Sequence, residues 1–496
     1  MSATLRPLWL RGVAFNPAAP SDVLIRLMDP AAGETGTAMC QGRDLPGAAL
    51  DAALRHPDRA IRGALARNHH VDPRAIVPLA KDPSGLVRAW LADGPRPRAP
   101  RRVRPLPDEV LVTLLTAEDG GEDGRVTASE IVGGLDGSGQ VSLSFRHSLA
   151  ERDHPELRIQ ATWSWGSLAP EQRAKLLDDP DPAVRRSARD HRWVLDPEEV
   201  EARFPGYEAR GWGFVFGGCA LTPGMVERCF GDDLRLTALA GNRHAPDHAL
   251  ARLARHPEAR FRALVATRPD LAPELVAELR EDPHQGVREL ARVQPFSRTW
   301  AEHDVIGRIV GHGRDCVCPI TEFVPQPPAD WFAACAVSGE PVLRRVAASW
   351  PGLPAALAAP LAEDEDEEVR IRLACHHPLA PPRLLLDVFV AHPVHRPHLL
   401  TLPAFPPTGT AHHVGHPDPR VRAVAAGDPA LSYPPVTDAD PAVRRAAAAN
   451  PGLSPGVLEV LLADPDTAEG AAANPSLPVA RMHALLDDCL GGAAPA

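Results

Sequence analysis

Residues 438–463, with the sequence DADPAVRRAAAANPGLSPGVLEVLLA, carry the start and stop signals of two short helices. Asp440 is a typical N-cap, and Pro441 follows at the first helical position, where its missing N–H costs nothing. We therefore predict that the first helix begins at Pro441. Its apolar residues share one face at the spacing i, i+3, i+4: Val443, Ala446 and Ala447.

Asn450 and Pro451 predict the end of this helix, because Asn tolerates the left-handed conformation and Pro cannot continue a helix. Ser454 and Pro455 begin a second helix, whose inward face repeats the same spacing. Its three leucines are Leu458, Leu461 and Leu462. Neither helix can bury its apolar face alone, so the pattern favours a stacked array of helix pairs.

An Arg recurs six residues after the residue that opens each unit, as in His56 and Arg62. Neighbouring members such as Arg262 and Arg288 lie 26 residues apart. Such a regular spacing predicts about fifteen helix–helix repeats of ~25 residues, an all-α solenoid. The members of this Arg row are Arg62, Arg88, Arg185, Arg262, Arg288, Arg344, Arg370, Arg422 and Arg444.

Composition agrees with a solenoid. The chain has 496 residues, well past the ~250–300 at which a single globular core stops growing. Its 55 prolines recur at helix starts and stops, while 44% of residues are hydrophobic and only 5% are aromatic. The formal net charge of −11 argues against a general nucleic-acid binder, which needs a clustered positive surface.

The sequence gives no sign of export or membrane insertion. Its first residues, MSATLRPLWLRGVAFNP, lack the apolar core of a signal peptide. No run of ~18 apolar residues is present, so we expect no membrane span. Eight cysteines are too sparse for a disulfide scaffold. We therefore expect a cytoplasmic protein with reduced thiols.

The repeated motif DPxxxVRxxAAxNPxLPxxxLxxLLA resembles the leucine-rich repeat variant family and, more distantly, HEAT and armadillo-like repeats. The resemblance covers about residues 50–480. It implies alternating α and 3₁₀ helices in a right-handed superhelix, and it says little about activity. A family member carries an N-terminal iron–sulfur domain with clustered cysteines. Here Cys40 is the only cysteine before residue 200, so we expect no iron–sulfur cluster.

Changes in the repeat pattern predict the domain organisation. Clear units alternate with stretches in which the spacing lengthens or the composition changes. The predicted segments are degenerate N-terminal capping repeats at 1–54, solenoid repeats at 55–95, an Arg/Pro linker and acidic insertion at 96–150, solenoid repeats at 151–310, a loop insertion at 311–334, and C-terminal repeats with a cap at 335–496.

The Arg row has two interpretations. In the structural one, each Arg binds an acid or a helix-end carbonyl of a neighbouring unit, as in the ladders of HEAT repeats. In the functional one, the row grips a phosphate polymer or an acidic tail. The first is favoured, because acids such as Asp58 and Asp440 lie nearby in every unit. Four histidines that precede Pro are likewise interpreted as caps: His56, His154, His256 and His416.

Residues 119–130, DGGEDGRVTASE, resemble a calcium-binding EF-hand loop. The chemistry requires carboxylates for a hard cation and a closing Glu with two oxygens. The candidate ligands, with Arg125 acting through its carbonyl, are Asp119, Asp123, Arg125 and Glu130. Position 3 of the loop departs from the pattern, because Gly121 has no side-chain oxygen. The alternative is an acidic insertion that connects two units.

Residues 303–335 contain several potential zinc ligands. The spacing does not fit, because Cys316 and Cys318 flank a single residue, and a structural loop is the favoured interpretation. The candidates are His303, His312, Cys316, Cys318 and Cys335. A further break at 95–105 places five Arg among Pro and is interpreted as a stiff linker or an anionic docking site.

Together these features favour a non-enzymatic scaffold or adaptor that binds another protein. This functional inference rests on the repeat architecture alone. We expect no cofactor, a monomer, and no binding of nucleic acid. Two alternatives stay open: a helical-repeat enzyme resembling the lyases or DNA glycosylases built on such units, and a calcium-regulated binding module.

Overall fold

The computed structural model of the chain describes residues 4–95, 103–117, 126–204, 206–208, 212–292, 297–311 and 327–491. Every regular element in these ranges is a helix, and none is a strand. The predicted all-α, helical-repeat fold is confirmed. The chain divides into two compact units. In described residues, unit 1 comprises 4–95, 103–141 and 405–491, and unit 2 comprises 142–404.

Unit 1 opens with eight α-helices that pair in sequence. A nine-residue 3₁₀ helix, Pro73–Lys81, replaces one second helix, and the internal Pro78 disfavours an α-helix there. The helices are α1 Leu5–Phe15, α2 Ser21–Arg26, α3 Glu34–Gly42, α4 Gly47–Leu54, α5 Arg59–Ala66, α6 Gly85–Asp93, α7 Asp108–Leu115 and α8 Ala128–Ser138.

Unit 2 continues the helix-pair arrangement. Its helices are α9 Leu143–Ser148, α10 Pro155–Thr162, α11 Pro170–Leu177, α12 Pro182–His191, α13 Pro197–Arg203, α14 Trp212–Gly218, α15 Pro223–Cys229, α16 Asp233–Gly241, α17 Asp247–Ala254, α18 Ala259–Ala266, α19 Pro273–Arg280, α20 Gln285–Arg292, α21 Trp300–Gly311, α22 Ala329–Ala336, α23 Pro341–Ala348, α24 Ala355–Leu361, α25 Glu367–His376, α26 Pro382–Ala391 and α27 Arg396–Leu399.

The chain then returns to unit 1. Its last helices are α28 Pro419–Ala426, α29 Pro441–Ala448, α30 Pro455–Leu462, α31 Ala468–Ala472 and α32 Val479–Leu490. Helix α1 packs against α31 as well as against α3. The N-terminal segment, for which we predicted a capping role, therefore has a neighbour on each side.

Helices α29 and α30 show why this sequence forms helix pairs. The Asp440 side chain accepts a hydrogen bond from the Ala442 N–H at 2.8 Å, so it caps α29 as predicted. The inward residues are buried, with Val443 and Leu458 both 0% exposed. Burial of such faces against neighbouring repeats is the main stabilising term.

The predicted reason for Asn450 is wrong. Arg298 is the only described residue other than glycine with a positive φ, so Asn450 is not left-handed. Its side chain is instead 0% exposed and makes hydrogen bonds to the preceding repeat. Asn therefore serves here as a buried amide that joins two repeats.

No described helix combines the length and the apolar character needed to cross a membrane.

Candidate protein-interaction site

In many repeats, a side chain near the end of a helix binds carbonyl oxygens of the preceding repeat. In unit 1, Asn450 donates from Nδ2 to the carbonyl oxygens of Ala426 and Asp428, both at 2.8 Å. Asn474 in turn donates to those of Ala448 and Asn450 at 2.9 and 2.7 Å. We call this series the carbonyl ladder. It satisfies helix-end carbonyls that have no partner within their own helix.

The carbonyl ladder uses several donor types. In unit 2, Asn242 donates to Phe216 and Cys219, and the wholly buried Arg268 donates to Ala240 and Asn242. The remaining donors that we identify are Asn16, Arg43, Asn68 and Gln140 in unit 1 and Arg298, His377 and His398 in unit 2. Several are followed by Pro, which is the sequence signal that would have found them.

The Arg row forms a second set of hydrogen bonds, both within a repeat and to the next one. Arg262 donates from Nη1 to the His256 carbonyl at 2.7 Å, in the loop that opens its own repeat. Its Nε and Nη2 bind both carboxylate oxygens of Asp282 in the next repeat at 2.7 and 2.9 Å. These hydrogen bonds lower the pKa of Asp282 below its ordinary value. The equivalent two-oxygen pairs are Arg62–Asp82, Arg344–Asp364 and Arg422–Asp438.

In one repeat the register differs from the predicted one. Gln160 stands six residues after His154, the spacing that Arg62 has from His56, but it does not hold the Arg position. Arg158 holds it instead and binds both oxygens of Asp179 at 2.7 and 2.9 Å. The repeat opens two residues before His154, because Arg158 donates to the carbonyl oxygens of Arg152 and Asp153.

The histidines that precede Pro lie at the turns that open helices. His154 is the N-cap of α10, and its Nδ1 accepts from the Glu156 N–H at 3.3 Å. The other three accept in the same way from the residue two positions on, at 3.1 Å: His56, His256 and His416.

The other five members of the Arg row keep the contact within their own repeat. Arg88, Arg185, Arg288 and Arg370 donate to the opening carbonyl of their own repeat, as does Arg444, which also binds Asp466 at 2.7 Å. Arg185, Arg288 and Arg370 have no carboxylate at ion-pair distance among the described residues.

The repeat that follows Arg370 is described in full. Its Val390 stands 20 residues after Arg370, the spacing at which Asp82 follows Arg62 and Asp364 follows Arg344. His392 lies 3.4 Å from Glu367 rather than beside Arg370. Arg370 therefore faces a repeat that supplies no carboxylate to it.

A groove of about 370 Å³ opens at this point between α25 and α26. Buried Ile371, Leu384 and Val388 form an apolar floor. Charged residues of both signs, together with His392, form the rim: Glu363, Glu367, Arg370, Arg383 and Asp387. An apolar floor with a few polar groups at its rim is typical of a binding site.

The candidate calcium loop is described only at its end. Asp119, Asp123 and Arg125 lie outside the described residues. Glu130 belongs to a capping box at the start of α8: its Oε2 accepts from the Thr127 N–H at 2.8 Å. To close a calcium site, Glu130 would have to leave this cap. Calcium binding stays a prediction.

Two residues of the candidate zinc region lie in helices, His303 in α21 and Cys335 in α22. Nδ1 of the buried His303 lies 2.7 Å from the Thr267 hydroxyl. Burial, reinforced by nearby Arg268, lowers the pKa of His303 to about 3. Cys335 is 0% exposed, and burial raises the pKa of its thiol. His312, Cys316 and Cys318 lie outside the described residues.

Within the described ranges, no group of three His, Cys, Asp or Glu side chains has the geometry to hold a metal ion. The predicted ligands that are described, Glu130, His303 and Cys335, belong to a helix cap and to helix packing.

Comparison with family models matches residues 441–466 to the leucine rich repeat variant. This span contains α29 and α30, the helix pair that the sequence marks most clearly. The resemblance drawn from the repeated motif is confirmed for this stretch. No curated protein matches the chain.

Proposed function

We propose that this protein is a non-enzymatic scaffold and that the groove between α25 and α26 binds an extended segment of a partner protein. The observation that carries this is the position of Arg370. It holds the same place as Arg344 and Arg262, and it lines the groove. It makes the carbonyl contact of its own repeat but has no carboxylate partner among the described residues.

The chemistry of the groove suits a peptide. Its floor accepts an apolar side chain, and burial of such a side chain provides affinity. A carboxylate of the partner takes the place that Asp364 occupies against Arg344. The bidentate geometry of an Arg–carboxylate pair then fixes the direction of the bound segment. Glu363 on the rim restricts the partner to segments that also carry a cation or a polar group there.

The test compares two charge reversals in the full-length protein. Arg370→Glu changes the groove, and Arg185→Glu is the matched control, because Arg185 makes the same contact with its opening carbonyl. Both variants lose that contact, so a difference between them reports on the groove. Equal melting temperatures establish that the two variants are equally folded.

Tagged wild type and both variants are expressed at native level in the source cells, and bound protein and nucleic acid are quantified. We expect one stoichiometric protein partner with the wild type and the control. The Kd of this partner for the Arg370→Glu variant should be at least about tenfold higher than for the wild type. This corresponds to a loss of ~1.4 kcal/mol of binding free energy. Equal binding by all three proteins would exclude the groove. Nucleic acid without protein would contradict the scaffold and favour the helical-repeat enzyme.

A further inference from the structure

The first and last repeats of the chain meet inside unit 1 as if they were consecutive. Asn16 donates from Nδ2 to the carbonyl oxygens of Ala472 and Asn474 at 2.9 and 2.7 Å. Asn474 makes the same two contacts with the repeat before it. The carbonyl ladder therefore continues from the C-terminal repeat into the N-terminal one. We call the boundary between α1 and α31 the seam.

Glycines confirm that the seam has the geometry of an internal boundary. Gly12 precedes Asn16 by four residues, and Gly470 precedes Asn474 by four. A Cβ added to Gly12 would overlap the Glu469 carbonyl oxygen, and one added to Gly470 would overlap that of Arg445. Both helices approach their neighbour closely at the same point, which only glycine permits.

Charged side chains cross the seam in complementary pairs. Arg11 lies 3.7 Å from Glu469, and Arg26 lies 2.5 Å from Asp487. In these two pairs the cation belongs to the N-terminal repeat and the anion to the C-terminal one, whereas Asp22 and His483 form a contact of the opposite sense at 3.1 Å. The indole N–H of Trp9 adds a hydrogen bond of 2.9 Å across the boundary.

The seam differs from internal boundaries in its connection. Asn474 and its acceptor Asn450 are 24 residues apart, so one short connection holds their repeats together. Asn16 and Asn474 are 458 residues apart. The two sides of the seam are different surfaces that fit each other, which makes the contact heterologous. Such a contact forms equally well within one chain or between two.

We propose that a second copy of this chain is a partner for the seam. The N-terminal repeat of one copy docks on the C-terminal repeat of another, and the second pair of surfaces closes the dimer. Because both surfaces belong to one chain, closure is intramolecular and does not weaken on dilution. Dilute protein is therefore closed on itself, and exchange between copies occurs when concentrated protein opens at the seam.

Charge exchange across the seam tests this in the full-length chain. One variant carries Arg11→Glu and Arg26→Glu, and a second carries Glu469→Arg and Asp487→Arg. Each variant places like charges at its own seam. When the two are mixed, both seams of a mixed dimer regain opposite charges. A third variant with all four substitutions regains them within one chain.

Analytical ultracentrifugation measures the masses at ~100 μM, where association between chains can compete with closure of one chain. We expect each single-side variant to be mainly monomeric and the equimolar mixture to form a 1:1 dimer. Its association constant should exceed that of either variant alone at least tenfold. The four-substitution variant should not pair with either of them. A mixture that sediments as the sum of its components, with helix content intact, overturns the proposal.

Discussion

The side chain of Asn16 donates a 2.7 Å hydrogen bond to the carbonyl oxygen of Asn474. The same bond joins Asn474 to Asn450. An Asn that follows one helix thus binds the end of the helix before it in the stack. The bond is the same whether the two repeats are near or distant in sequence. This relationship, more than any single charge pair, defines how repeats of unit 1 stack.

Asn474→Ala removes the two buried hydrogen bonds that Nδ2 donates to the carbonyl oxygens of Ala448 and Asn450, and the one that Oδ1 accepts from the Ser476 N–H. We expect the free energy of unfolding to fall by about 2–3 kcal/mol, measured by urea denaturation. Arg481→Ala in the same repeat is the control, because its partner Glu459 is largely exposed and surface pairs contribute little. Equal losses in the two variants would contradict a special role for the carbonyl ladder.

Gly470→Ala should destabilise the protein, because the added Cβ would overlap the Arg445 carbonyl oxygen. Gly456→Ala is a matched control in α30, where a Cβ meets nothing within 4 Å. There the change should stabilise by about 0.5–1 kcal/mol through helix propensity. Opposite shifts in melting temperature are the expected result. Shifts of the same sign would show that the close approach of α31 and α29 is not maintained.

The Arg262–Asp282 pair predicts that the free energy of unfolding depends on pH. Since the pKa of Asp282 is lowered in the folded state, its stabilising effect is present above the unfolded value of about 3.9 and is lost as pH falls through the folded value. Asp282→Asn should cost about 3 kcal/mol at pH 7, and less at pH 3. Urea denaturation at both pH values measures this. A cost that is the same at both would refute the pairing.

His303 predicts a second dependence on pH. Its folded pKa of about 3 lies below the ordinary value, so the unfolded chain takes up a proton between pH 6.5 and 3 and the folded chain does not. Stability should therefore fall as pH decreases through this range. His303→Asn keeps a hydrogen-bonding group beside the Thr267 hydroxyl and should lessen the fall. NMR titration of the His303 ring should show no protonation at pH 5.

Local signals in the sequence predicted the repeats well. Asp440 caps a helix, and Val443 and Leu458 face inward, because start signals and apolar spacing act within a few residues. The role of Asn450 was missed, since its acceptors belong to another repeat. Glu130 matched a calcium ligand by spacing alone, although its nearest partner is the N–H of Thr127.

The groove, too, could be predicted from the sequence only in part. Sequence alone reveals that Val390 follows Arg370 at the spacing at which Asp82 follows Arg62. It does not reveal that the apolar residues beneath form an open cleft, because that depends on how far α26 stands from α25. The seam was likewise invisible, since no local pattern links residue 16 with residue 474.

Hydrogen exchange of Asn16→Ala tests most directly whether the chain's first and last repeats stack. The control is Asn68→Ala, which removes equivalent bonds to Cys40 and Arg43. We predict that Asn16→Ala accelerates amide exchange at residues 468–474 and that Asn68→Ala does so at 34–43 but not at 468–474. Unchanged exchange at 468–474 in Asn16→Ala would contradict the seam and the continuous carbonyl ladder in unit 1.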